Sequence, residues 1–199
     1  MHPTPTLERV LKTIALTHYQ GQLCRAVNAD ALYGFSRTGH YVPRPLYNLG
    51  PPNGGARFTP RGGMPCLYLA EDYETSLREY LQVGSPARLR TTVHNTAFVN
   101  YVADVRLEKI LDLTKGAVRR TLGTNLTELK SPWRYRRDRR IPPTHRLGRV
   151  VAKVGHIEAI RFVSSKGQGI CIVILTDALT PPAYVRVQDP QSRLIAQIP

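Results

Sequence analysis

Five residues of types that do chemistry stand in a telling order: Arg25, Arg57, Tyr68, Glu79 and Ser164. Arg57 lies in the glycine-rich stretch Gly55-Ala56-Arg57-Phe58-Thr59-Pro60-Arg61-Gly62-Gly63. An arginine on such a turn can bring several N–H donors to a diphosphate, with backbone N–H groups exposed beside it. Taken alone it reads more simply as a surface arginine in a loop. Arg25 sits among apolar residues, where an unpaired cation is costly, so it needs a partner: a buried carboxylate or a ligand phosphate. Tyr68 is the centre of Cys66-Leu67-Tyr68-Leu69-Ala70. In a strand, Tyr68 and Cys66 face away from Leu67 and Leu69. A tyrosine so placed either stacks on a flat ring or is a core residue with its hydroxyl satisfied. Glu79 can accept hydrogen bonds from ribose hydroxyls and stabilise positive charge developing at an anomeric carbon. Its plainer role is a helix glutamate paired with Arg78 or Arg90. Ser164 and Ser165 end one apolar run and begin a turn, where a hydroxyl orients a substrate or only shapes the chain. Anion donors, an aromatic face and one carboxylate together suit a pocket in which a phosphate-bearing nucleotide has its N-glycosidic bond broken.

Other chemistries find little support. The six histidines (His2, His18, His40, His94, His145, His156) show neither the paired spacing of a zinc helix nor a cysteine–histidine cluster, so no metal site is expected. A Gly-x-Ser-x-Gly elbow is lacking, as are a Walker A loop and a Gly-x-Gly-x-x-Gly fingerprint. Three cysteines, Cys24, Cys66 and Cys171, lie far apart in apolar runs. That pattern predicts reduced, buried thiols of a cytosolic protein rather than a disulfide framework. No apolar run reaches the ~18 residues a spanning helix needs. Met1-His2-Pro3-Thr4-Pro5 lacks the basic start and apolar core of a secretory signal. A cytoplasmic protein without a membrane partner is expected.

The net charge is +14, and it is unevenly placed. Residues 119–149 hold ten Arg/Lys against two acids, which supplies +8 of the total. Such a stretch attracts polyanions or an acidic protein and raises encounter rates with anionic substrates, unless it is merely a solvated loop. Trp133 and Tyr135 among these arginines could stack on bases, so a basic nucleic-acid-binding module or RNase is an alternative, though a less favoured one.

With 42% hydrophobic residues the chain can bury a core, and a single domain over residues 1–199 is expected. Leu7, Val10, Leu11 and Ile14 predict a helix over residues 6–20, capped by Thr6 and stopped at Gly21, which makes residues 1–21 an N-terminal helical extension. Residues 22–27 read as a strand. Residues 34–65 form a long connection of the kind that usually has a function, and are expected to line a site. After the strand at residues 66–70, Asp72 caps a helix over 73–83 with Leu77, Tyr80 and Leu81 on its apolar face and Glu79 off it. Strands are predicted at 97–105, 110–113, 159–163, 170–175 and 184–187, and helices at 115–123 and 145–154. Such a mixture, with hairpin-like turns, predicts an α+β fold with an antiparallel-rich sheet.

Arg25, the Gly-Ala-Arg57-Phe-Thr-Pro-Arg-Gly turn, the block Leu-Tyr68-Leu-Ala-Glu-Asp-x-x-Thr-Ser-Leu-x-Glu79 and the late Arg-Phe-Val-Ser164 strand together resemble the RES domain, a family named for its arginine, glutamate and serine. The resemblance covers about residues 22–177, with Ser165 the other counterpart of Ser164. The chain departs from the commoner pattern at Phe58, where tryptophan is usual, at Thr59, where asparagine is usual, and in a longer basic segment before the final strands. The resemblance implies an ADP-ribosyltransferase-like fold, an antiparallel-rich split sheet flanked by helices. It implies a bacterial toxin of a toxin–antitoxin pair, or a secreted effector, that consumes NAD as substrate and needs no cofactor. The expected reaction is NAD glycohydrolysis, with ADP-ribosyl transfer to a protein as the alternative. Carried over, Glu79, Arg57 and Ser164 form the catalytic set. Arg25 and Arg57 bind the pyrophosphate or nicotinamide-side ribose, Tyr68 packs on nicotinamide, Glu79 holds the ribose and stabilises the oxocarbenium ion, and Ser164 orients the substrate. An antitoxin or immunity protein is the implied partner, and the basic segment 130–149 is where it is expected to dock.

Overall fold

The computed structural model describes residues 1–35, 41–81, 97–134, 141–188, 191 and 194–199. The first helix, α1 (Thr4–Thr13), carries Pro5 in its first turn, where the missing N–H is no loss, and turns Leu7 and Leu11 inward. There follow β1 (Thr17–Asn28), α2 (Ala29–Leu32), β2 (Tyr33–Phe35), β3 (Tyr41–Pro43), α3 (Gly50–Gly54) and β4 (Cys66–Ala70). Next comes α4 (Tyr73–Tyr80), whose N-cap Asp72 accepts a bond from the Thr75 N–H at 2.7 Å. The rest is β5 (Phe98–Asp112), α5 (Gly116–Thr121), α6 (Leu126–Lys130), α7 (Pro143–Val154), β6 (Ala159–Val163), β7 (Ile170–Leu175), a 3-10 turn (Thr176–Ala178), β8 (Tyr184–Gln188) and β9 (Leu194–Ile198). None of the described helices is long and apolar enough to cross a membrane.

Seven strands form one sheet in the order β1-β4-β7-β6-β5-β8-β9, and β1 also pairs with β5. The pairings are antiparallel except β5–β6. Two halves result, β4-β7-β6 and β1-β5-β8-β9. They meet at Cys24↔Ala70 on one seam and along Ile110–Asp112 with Ala159–Arg161 on the other. The first core lies on one face of the β4-β7-β6 half, where Cys66, Ala70, Ile160, Phe162, Cys171 and Val173 meet Leu7, Leu11, Leu147 and Val151 of α1 and α7. The second core collects Leu67, Leu69, Ile172 and Ile174 from the other face with Leu23, Val105, Leu107 and Val185. A half-sheet covered on both faces needs near-continuous apolar strands, which is why Cys-Leu-Tyr-Leu-Ala and Ile-Cys-Ile-Val-Ile-Leu lack a polar alternation. Each leucine or isoleucine so buried contributes ~2 kcal/mol.

The α+β class and the antiparallel-rich split sheet are as expected, and the bounds of β4, β6 and β7 match. Several elements differ. Helix α1 ends at Thr13, and β1 starts at Thr17 instead of after Gly21, because its β-branched and aromatic residues pair with β5 as far as Ile110. The two strands expected at 97–105 and 110–113 are one continuous β5, held by β1 from Phe98 to Ile110, by β8 in its middle and by β6 at its end. Segment 34–65 contains three short elements, and α6 and β9 have no counterpart among the expected elements. Helix α4 buries Thr75 and Ser76, with Leu77, Tyr80 and Leu81 only half-buried. Residues 82–83 of the expected helix lie outside the described residues.

Candidate active site

The loop that carries Arg57 is held from three sides. Its turn closes on itself, with the Ala56 N–H donating to Thr59 O at 2.7 Å and the Thr59 N–H donating to Ala56 O at 3.1 Å. From β4, the Tyr68 hydroxyl accepts the Phe58 N–H at 2.9 Å and lies 3.3 Å from Thr59 Oγ1. From α7, His145 donates through Nε2 to Ala56 O at 2.9 Å; a carbonyl only accepts, so that nitrogen carries the proton. Helix α7 approaches so closely that a Cβ at Gly148 would fall 1.8 Å from Phe58 O. Phe58 packs edge-on to Phe162 (centroids 4.8 Å apart), and Thr59 Oγ1 lies 3.0 Å from Cys66 Sγ. The two departures from the commoner family pattern are therefore core residues here.

The Arg57 guanidinium donates through Nη1 to Leu129 O (2.7 Å) and Ser131 O (3.2 Å), and through Nη2 to Ser165 Oγ (2.7 Å). All three acceptors are neutral. Burial lowers the Arg57 pKa, and the Glu79 carboxylate opposes that shift. Glu79 itself, on the last turn of α4, accepts a 2.5 Å bond at Oε1 from Ser164 Oγ. Ser164 is fully buried, and its Oγ in turn accepts the Lys166 N–H at 2.9 Å. The sequence left the choice between Ser164 and Ser165 open. The structure engages both, one on the carboxylate and one on the guanidinium. The expected pairing of Glu79 with Arg78 is absent: Arg78 reaches back one turn to Glu74 at 2.7 Å. Arg90 lies outside the described residues.

The structure brings Arg57, Tyr68, Glu79, Ser164 and Ser165 to one region, while Arg25, whose charge reaches Cys66, spends its donors on other partners. Arg25 donates to Pro45 O (3.1 Å), Tyr47 O (3.2 Å) and the Tyr101 hydroxyl (3.2 Å). Tyr101 packs on the second core, whereas Tyr68 packs on the first. Among the described residues Arg25 meets no carboxylate, and its bonds to carbonyls and a phenol pin the segment after β3. Tyr68 sits in a half-buried position with its hydroxyl committed, and burial pushes its pKa far up.

Sequence reasoning missed Lys166, whose only signal was its place directly after the two serines. Burial lowers its pKa; Glu79 opposes that shift, and Arg57 and Arg134 reinforce it. It also missed the role of the chain after α6, whose carbonyls hold Arg57. Trp133 lies over Gly55, within 3.6 Å of where a Cβ would stand, with the Arg134 guanidinium 4.6 Å from its centroid and the His145 ring 5.5 Å away. Its ring is therefore packed, which weakens the base-stacking alternative. Tyr135, Arg136, Arg137, Arg139 and Arg140 lie outside the described residues. Among the described residues no group of three or more His, Cys, Asp or Glu could hold a metal ion. All three thiols are free, Cys66 with its pKa pushed up to about 11 by burial.

The fold is similar to a chain of the crystal structure of the M. tuberculosis MbcT-MbcA toxin-antitoxin complex, with a TM-score of 0.62 and 16% identity over 97% of this chain and 91% of that one. At that identity the likeness is one of fold. No curated protein matches the sequence. The RES domain matches residues 31–197, so the match begins after Arg25 and runs on through β8 and β9, past the expected end near residue 177. With so much of its length matched, the chain belongs to the RES domain family.

Proposed function

We propose that the protein is an NAD-consuming toxin, an NAD glycohydrolase, held in check by an antitoxin. The observation that carries this reading is the Ser164–Ser165 pair, which ties the Glu79 carboxylate at 2.5 Å and the Arg57 guanidinium at 2.7 Å to adjacent residues of one turn. Family membership and the fold shared with a chain of a toxin–antitoxin complex support the biological role.

In this reading the nicotinamide ribose lies against Glu79. The bond from ribose C1′ to the pyridinium nitrogen breaks, and its electron pair leaves with nicotinamide, which departs neutral. The carboxylate stabilises the oxocarbenium ion, its orientation fixed beforehand by Ser164. Water adds to C1′ and releases its proton, giving ADP-ribose. Arg57, whose charge no carboxylate bond cancels, attracts the anionic part of the substrate, and the Tyr68 ring offers a face for the nicotinamide. Arg25 serves by tethering the 45–47 segment.

Incubating the purified protein with NAD tests the proposal. Nicotinamide and free ADP-ribose should appear together, and Glu79→Gln should lower the rate at least ~100-fold with its melting temperature nearly unchanged. ADP-ribose attached to a protein, with none free, would move the reading to ADP-ribosyl transfer. NAD left intact by folded wild-type protein would overturn both.

A further inference from the structure

Several cations converge on the short turn from Ser164 to Gly169, which the Ser164 N–H closes by donating to Gly169 O at 2.8 Å; one of them, Arg78 beside Gly167, is paired with Glu74. Arg57 binds Ser165, and Lys130 Nζ lies 3.5 Å from Gly167 O. Lys166 is within the turn, and Arg134 is near enough to disfavour its charge. Among the described residues, neither Lys166 nor Lys130 nor Arg134 has an ion pair with Asp or Glu. The Lys166 ammonium has no protein acceptor there either, although the residue is half-buried. Gathering like charges while removing them from water is unfavourable. Of the nearby carboxylates, Glu79 is bonded through Oε1 to Ser164, Glu74 is paired with Arg78, and Asp72 accepts from Thr75.

We propose that the Ser164–Gly169 turn, with Lys166 at its centre and Lys130 and Arg134 beside it, is a phosphate subsite that takes the diphosphate of the dinucleotide. The proposal rests on the NAD reading and adds to it. Three of the five Arg57 donors are spent on Leu129, Ser131 and Ser165, so its charge attracts the substrate while the Lys166 ammonium adds three more N–H groups. A small anion fits better than an acidic protein surface. Lys166 and Lys130 are half-buried with Arg134 exposed at their rim, whereas a docking protein would meet exposed cations such as Arg149 and Arg120.

The test uses the full chain, wild type, Lys166→Met and Lys166→Arg, all checked for unchanged melting temperature. Inorganic pyrophosphate and ADP-ribose are titrated by calorimetry, and cleavage of NAD is compared with cleavage of nicotinamide riboside, which carries no phosphate. Lys166→Met should weaken both anions about tenfold and raise KM for NAD about tenfold, while Lys166→Arg stays within about threefold of wild type. Riboside cleavage should be the same in all three. An equal loss on NAD and riboside would show that the lysine acts through Ser164 and Glu79, and would overturn the proposal. Pyrophosphate binding that ignores Lys166 would also overturn it, as would a Glu-rich peptide that binds in a Lys166-dependent way where pyrophosphate does not. If wild type cleaves neither substrate, the NAD reading falls, and the pyrophosphate titration still decides the subsite.

Discussion

Two arginines, Arg57 beside the first core and Arg161 on the face of the second, are treated in opposite ways. Arg161 on β6 binds both oxygens of Glu71 (2.6 and 3.0 Å) and reaches Asp112 and Thr114 at 3.2 Å each. The bond to Glu71 raises its pKa, outweighing the effect of burial. Its charge is cancelled, and it ties the end of β4 to the seam between β5 and β6. Arg57 is held by two carbonyls and a hydroxyl, and its pKa is lowered. Carbonyls and hydroxyls fix a guanidinium in place without neutralising it, so its field persists in a region poor in water. The difference separates an arginine whose charge is cancelled within the architecture from one whose charge is left uncancelled.

Removing each cation in turn separates the two roles. Arg57→Gln should reduce NAD cleavage ~100-fold or more and shift the melting temperature by only a few degrees. Arg161→Gln should do the reverse. It leaves Glu71 and Asp112 without their cation, a loss of about 1–3 kcal/mol for these partly buried groups, while activity falls much less. Melting curves and initial rates on both variants decide it. Equal effects on both properties would erase the distinction.

The support beneath Arg57 can be probed through Gly148. An added Cβ there meets the backbone oxygen of Phe58 at 1.8 Å, so the loop must move. Gly148→Ala should cost about 3 kcal/mol, lowering the melting temperature by about 6–12 °C, and should lose activity with it. At Gly169 the clash is with Thr75, Oγ1 at 1.6 Å and Cβ at 2.7 Å, so α4 must shift as well as lose the Thr75–Asp72 bond. Gly169→Ala should therefore cost about as much, ~3 kcal/mol.

The smallest expected effect concerns pH. Burial holds the pKa of His145 below its ordinary value of 6.5, with Arg149 and Arg57 pushing the same way and the bond to Ala56 opposing. A histidine that is harder to charge when folded contributes stability that is complete above the unfolded pKa and is lost as pH falls below it. Between about pH 7.5 and about pH 5, wild type should lose about 1–3 °C more in melting temperature than His145→Gln. Equal losses would mean that the buried imidazole does not matter to the loop.

What could be read in advance depended on how local its cause was. Strands β4, β6 and β7 showed as apolar runs bounded by turn residues, and α4 was announced by the Asp72 cap. The continuity of β5 could not be read, because its partners β1, β8 and β6 come from three distant parts of the chain. The polar buried face of α4 was hidden too, since it follows from Thr75 meeting Gly169 across the fold.

Fold class, family and the residue types behind the proposed nucleotide pocket were legible in the chain alone, since these follow from periodicity, turn chemistry and motif order. Only the tertiary structure decided which of those residues work together. Glu79 and Ser164 are 85 positions apart, Arg57 and Ser165 are 108, and the carbonyl of Leu129 lies 72 from Arg57. No spacing rule spans such distances. They are closed when the helices and the two half-sheets bury their apolar faces, and that packing left Arg25 bound to a loop while it drew Lys166 to the turn beside Glu79.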